Sequence, residues 1–121
     1  MPKYVDAFVL PVAKKNVTLY RRMAKRAGRV WRDHGALEYR ECQGDDLEVK
    51  GGLMPFPRGI RTKRNETVFF SWVVYRSRAH RDRVNALVMK DPRIVRMMKS
   101  KVMPFDADRM LYGGFKTVVD A

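Results

Sequence analysis

The chain has 121 residues, 45% of them apolar, a single cysteine, and 26 Lys and Arg against 13 Asp and Glu, for a formal charge of +13. That length and composition fit one domain with a buried core, spanning residues 1–121, and argue against intrinsic disorder. One cysteine cannot close an internal disulfide, and the longest nearly charge-free apolar run, Thr67 to Tyr75, is far short of the roughly 20 residues a membrane span needs; the expectation is a soluble, cytoplasmic protein with no membrane partner.

Tyr4 to Val12 reads as a strand, with Tyr4, Asp6, Phe8 and Leu10 on one face and Val5, Ala7 and Val9 on the other. The smaller set is expected to pack under helices, leaving Tyr4 and Phe8 on a bare face. Asn16 to His34 carries a helical stripe of Tyr20, Met23, Ala24, Ala27, Val30 and Trp31 opposite a row of Arg and Lys, and Gly35 stops it. Ala36 to Gln43 is a second strand. Residues 44–65, with four glycines and two prolines, are too long for an ordinary connection and suggest a functional loop, a short extra strand or a lid. The β-branched and aromatic run Thr67 to Tyr75 suits a central strand. Ser77 is placed to cap a helix reaching about Lys90, and Asp91-Pro92 restarts a helical segment as N-cap and first residue. Arg109 to Val119 closes the chain as a strand, with Gly113-Gly114 marking a bulge or a close backbone approach.

The order βαββαβ is the α+β, ferredoxin-like arrangement: an antiparallel sheet with helices on one face. A sheet with one face covered leaves an apolar face that is rarely left to water, so two copies are expected to stack as a dimeric α/β barrel, a homodimer. The basic residues cluster: eight lie between Lys14 and Arg32, four between Arg58 and Arg64 and nine between Arg76 and Lys101. Such a field attracts polyanions, although solvated helix faces are the simpler account of it.

Several strings are more particular than folding requires: ETVFFSW at 66–72, DPR at 91–93, MPFD at 103–106 and RMLYGGF at 109–115. With Val5-Asp6, Phe8, His34-Gly35-Ala36, Glu41-Cys42, Asp45-Asp46, Phe56, Arg81-Asp82, Asn85 and Met89, they resemble the YbaA-like family of bacterial proteins, domain of unknown function 1428. The resemblance covers nearly the whole chain and implies a dimeric α/β barrel of ferredoxin-like subunits. It implies no settled activity, and the high positive charge belongs to none of its motifs.

The catalytic candidates are Asp6, His34, Glu41 and Cys42. Asp6, in an apolar strand, reads as a general base or as one half of an ion pair with an arginine such as Arg109. Glu41 and Cys42 point to opposite sides of their strand and cannot form a dyad, and a lone cysteine is usually inert. His34 suits a helix C-terminus, and His80, on an Arg-rich helix, is expected at the surface. Phe70 and Trp72 share a face. Trp72, closed over by Phe105 and Met110, would line an apolar pocket together with Asp6, Phe8, Phe70 and Arg109, or it would be plain core. Arg81 and Asn85 share a helical stripe with Met89 that would seat an anion or pack on a second copy. No spacing suits a metal, and no phosphate-loop, dinucleotide, elbow-serine or zincin motif occurs, so no cofactor is expected.

Two functional readings compete. In one, a homodimeric barrel holds a small-molecule-binding or enzymatic pocket. In the other, the Arg- and Lys-rich helices bind nucleic acid or another polyanion, although the aromatic motif of RNA-recognition sheets is missing. A structural role with no ligand is the third possibility.

Overall fold

The structure, a computed structural model, describes residues 2–100 and 103–121; Lys101, counted with the last basic cluster, lies outside them. Four strands, β1 (Tyr4–Ala13), β2 (Glu38–Gln43), β3 (Glu66–Tyr75) and β4 (Leu111–Lys116), form one antiparallel sheet in the order β2-β3-β1-β4. Helices α1 (Val17–Asp33), α3 (Arg78–Lys90) and α4 (Pro92–Met98) cover one face, and a single turn, α2 (Phe56–Gly59), lies within the segment between β2 and β3. This is the ferredoxin-like α+β order, with the second helix broken in two. Among the described residues, no helix is long and apolar enough to cross a membrane.

The caps fall where residue chemistry puts them. Gly35 takes φ +111°, a conformation that L side chains disfavour, and returns its N–H to the Arg32 carbonyl at 3.1 Å. Ser77 Oγ accepts from His80 N at 3.1 Å to start α3. Asp91 accepts from Arg93 N at 2.9 Å to start α4, with Pro92 in the first turn.

The helices lie on the face opposite to the one expected. Tyr4, Phe8, Leu10 and Val12 of β1, with Phe69, Val73 and Tyr75 of β3, pack against the helices. The reason is on α1, whose buried stripe includes Ala24, Ala27 and Gly28: small helix residues leave room for large strand residues, and close packing demands that complement. The opposite face carries Val5, Ala7, Val74, Trp72 and Phe70, with Leu111 and Phe115 of β4. On it Phe70 is 38%, Leu111 56% and Phe115 59% exposed. One end of this face is covered by the chain itself, because Ile60, just after α2, buries against Val9 and Val68 with Leu47 alongside. The 44–65 segment is thus a cover with one helical turn, not an added strand.

The last strand is shorter than expected, and its register with β1 runs unbroken from Leu111 to Lys116. Gly113-Gly114 is therefore no bulge. It is a close approach: a Cβ on Gly114 would stand 2.5 Å from the Tyr4 hydroxyl and 3.0 Å from Arg81 Nη1.

A methionine-lined chamber and its part-buried carboxyl

Between the sheet and the helices lies a cavity of about 300 Å³. Phe8 and Leu10 of β1, Tyr39 and Glu41 of β2, and Ser71 and Val73 of β3 form its floor. α1 contributes Met23, Ala27 and Trp31 to the roof, and Met89, Ile94 and Met97 come from α3 and α4. Met103, Phe105 and Met110, from the connection into β4, line one side.

Among the described residues, Glu41 is the one ionisable carboxyl on this lining. Tyr20 donates to its Oε1 at 2.8 Å and Tyr39 to its Oε2 at 2.9 Å, while the Ser71 hydroxyl, directly across on β3, favours the charged form. These donors favour the carboxylate, yet burial outweighs them and raises its pKa above the ordinary carboxyl range. The same burial, reinforced by the acid, pushes both phenols well above their ordinary values, so they stay protonated and keep donating. Tyr39 reaches this position beneath α1 because residue 28 is glycine. A Cβ there would lie 2.7 Å from Tyr39 Cδ1 and 2.9 Å from its Cε1.

The residues singled out in the sequence divide among several places. Phe8, Phe105 and Met110 line the chamber with Glu41. Trp72 does not join Phe105 and Met110, because β3 turns it to the open face, where its Nε1 donates to Glu38 at 3.1 Å and its ring meets Phe70 edge-on. Cys42, also on the open face, is exposed. Arg109 lies apart, held by Glu66 at 2.6 Å and Asp106 at 2.9 Å, and these pairs pull both carboxyls below their usual range.

Asp6, 2% exposed, is paired with Arg81 and not with Arg109: Arg81 Nη1 donates to its Oδ1 at 2.7 Å. Asn85 Nδ2 approaches Oδ2 at 3.5 Å, while Asn85 Oδ1 accepts from Trp31 Nε1 and Tyr75 OH at 3.1 and 3.0 Å. Arg81 also donates to Tyr112 OH at 3.2 Å and covers the Tyr4 ring at 4.8 Å. Arg81 and Asn85 are thus committed to an internal carboxylate and present no anion seat. Met89, on the same stripe, reaches the chamber instead.

Neither histidine faces the chamber. His34 ends α1 and pairs through Nε2 with Asp91 at 2.8 Å, joining that helix end to the α3–α4 junction. Arg93 bonds the same carboxyl, and together they hold Asp91 far below the usual carboxylate range. His80 is buried rather than superficial. Its Nδ1 accepts from Arg76 N at 3.0 Å, and burial, with Arg76 and Arg83 nearby, lowers its pKa. Among the described residues, no group of three or more His, Cys, Asp or Glu side chains is placed to hold a metal ion.

Sequence reasoning missed Tyr20, Tyr39 and Ser71 as partners of Glu41, along with most of the methionine wall. Two signals point that way: a glycine inside a strongly amphipathic helix, and a serine inside an apolar strand.

Residues 3–107 match the family described as "Protein of unknown function (DUF1428)". The chain is 40% identical over 118 residues to uncharacterized protein YbaA of Escherichia coli K12, covering 98% of both chains, and it is equally similar to the protein of that name from Shigella flexneri. Among solved structures, it superposes on a dimeric ferredoxin-like protein from an uncultured marine organism with a TM-score of 0.63. Coverage there is 100% of both chains at 11% sequence identity, a likeness of fold.

Proposed function

The chain belongs to the DUF1428 family of proteins of unknown function, and from its interior we propose that it is a homodimeric small-molecule-binding protein whose ligand occupies the methionine-lined chamber. The observation that carries this reading is the chamber itself. It opens to solvent where Met89, Met98 and Met103 are 48%, 68% and 58% exposed, and its 300 Å³ reaches the size range of ligand sites, which are mostly apolar with a few convergent polar groups. Glu41 is that polar group. A carboxyl with a raised pKa, oriented by two phenols, donates a hydrogen bond or a proton when protonated and accepts one when ionised.

The dimer is supported by the apolar face left bare beyond Ile60, with Leu111 and Phe115 more than half exposed, and by a solved structure of similar fold that is described as dimeric. Stacking two such faces places both chambers on the outer sides of the paired sheets, each within its own subunit. Leu111→Lys with Phe115→Lys is expected to give a monomer in analytical ultracentrifugation that retains ligand binding.

A neutral apolar fluorophore, N-phenyl-1-naphthylamine, tests the chamber directly. One equivalent per subunit is expected to bind, and Ala27→Leu, which fills the cavity from α1, is expected to abolish binding while leaving the circular dichroism spectrum unchanged. Binding that survives Ala27→Leu and disappears with the Leu111 and Phe115 substitutions would place the site on the open face and refute the reading.

A further inference from the structure

The chamber shares a wall with a second depression. Tyr20, Ala24, Tyr39 and Glu41 line both the apolar cavity and an open groove between α1 and the edge strand β2. That groove is cationic: Arg21, Arg22, Lys25, Arg29 and Arg32 of α1 line it, against the acids Glu41 and Asp33. Asp33 is already engaged with Arg93 at 2.7 Å. Arg32 is turned to the backbone, donating to the carbonyls of Ala36 and Leu37. Among the described residues, Arg21, Arg22, Lys25 and Arg29 form no salt bridge. Four unpaired cations therefore stand outside the wall whose inner side is apolar.

Resting on the reading of the chamber as a ligand site, we propose that its ligand is an amphipathic anion. The apolar body fills the methionine-lined cavity, and a carboxylate or phosphate head emerges past Tyr20, Tyr39 and Glu41 to meet Arg21, Lys25 and Arg29. These three recur at four-residue spacing and so share one side of α1. Tyr20 and Tyr39, whose hydroxyls donate to Glu41, make this shared wall the polar side of the cavity. Burial that keeps Glu41 protonated to higher pH also limits repulsion of the entering head. A neutral apolar guest would gain nothing from the cations, and a hydrophilic anion would gain nothing from the cavity.

Decanoate and decanol, identical in tail length and different in head charge, separate the two parts when titrated calorimetrically into the intact protein. Decanoate is expected to bind at least about tenfold more tightly, the scale of one charge-assisted hydrogen bond, with the advantage shrinking as salt screens the groove. The triple variant Arg21→Gln/Lys25→Gln/Arg29→Gln, all surface positions, is expected to bring decanoate down to the decanol level and leave decanol unchanged. Equal affinity for both probes in the unmodified protein, with Ala27→Leu blocking both, would overturn the anion inference and leave the chamber standing. If neither probe binds, the chamber reading fails and this inference goes with it.

Discussion

Gly28→Ala tests the architecture of the site through one methyl group. Inside a helix, alanine is favoured over glycine by about 1 kcal/mol, so this substitution would ordinarily stabilise α1. Here the new Cβ would stand 2.7 and 2.9 Å from two ring carbons of Tyr39, and 3.3 Å from its Cγ. The contact runs up to the base of the ring, so no swing of a flexible tip relieves it. Overpacking of this kind costs about 1–3 kcal/mol, leaving a net destabilisation of about 1 kcal/mol. In a Tyr39→Ala background the clash is gone, and the same substitution is expected to stabilise by about 1 kcal/mol. Urea denaturation of the four proteins measures a coupling of about 2 kcal/mol between positions 28 and 39. Additivity within about 0.5 kcal/mol, or a stabilising Gly28→Ala in the unmodified chain, would refute the placement of Tyr39 beneath α1.

Three other perturbations have definite outcomes. Because the folded state raises the Glu41 pKa, it holds that proton more tightly than the unfolded chain does; the stability this contributes is present at low pH and is lost as pH rises from the ordinary carboxyl range through the raised value. Glu41→Gln is expected to remove that downward slope, read as the difference between the two stability–pH curves. Arg81→Met strands the buried Asp6 carboxylate and is expected to cost about 3–5 kcal/mol, most of it recovered by Asp6→Asn/Arg81→Met, because an unpaired buried charge is worse than none; equal losses in the single and double variants would contradict the pairing. His80, with its lowered pKa, contributes stability that is complete above the ordinary histidine range and is lost as pH falls through the folded value. Its imidazole NMR resonances should titrate below the ordinary histidine range, and a His80→Gln variant should show a weaker acid slope.

How much of this was legible in the sequence follows from what alternation can encode. Element order and caps were readable, since Gly35, Ser77 and Asp91-Pro92 act locally and need no tertiary information. Alternation in β1 shows which residues share a face, but both sets are apolar, so it does not say which face the helices cover. That choice is made by Ala24, Ala27 and Gly28 on another element, whose small volume admits Phe8 and Tyr39. The partner of Asp6 was misjudged for a similar reason: Arg81 is 75 residues away, and only the packing of α3 over β1 brings it there. Glu41 is visible as a carboxyl facing one side of its strand, with Tyr39 two residues before it on the same face, whereas Tyr20 comes from α1 and only the packing of that helix over the sheet brings it there.

The abundance of methionine around the chamber bears on what the protein can tolerate. Thioether side chains are unbranched and polarizable, so they remould around guests of different outline at little penalty. A wall built from them favours breadth of uptake over discrimination by shape, and leaves any selectivity to the polar rim. The same sulfurs are chemically vulnerable. Conversion to sulfoxides would turn the lining polar and shut out greasy guests, and methionine sulfoxide reductases would restore it, so the capacity of this interior is tied to the redox state of its surroundings.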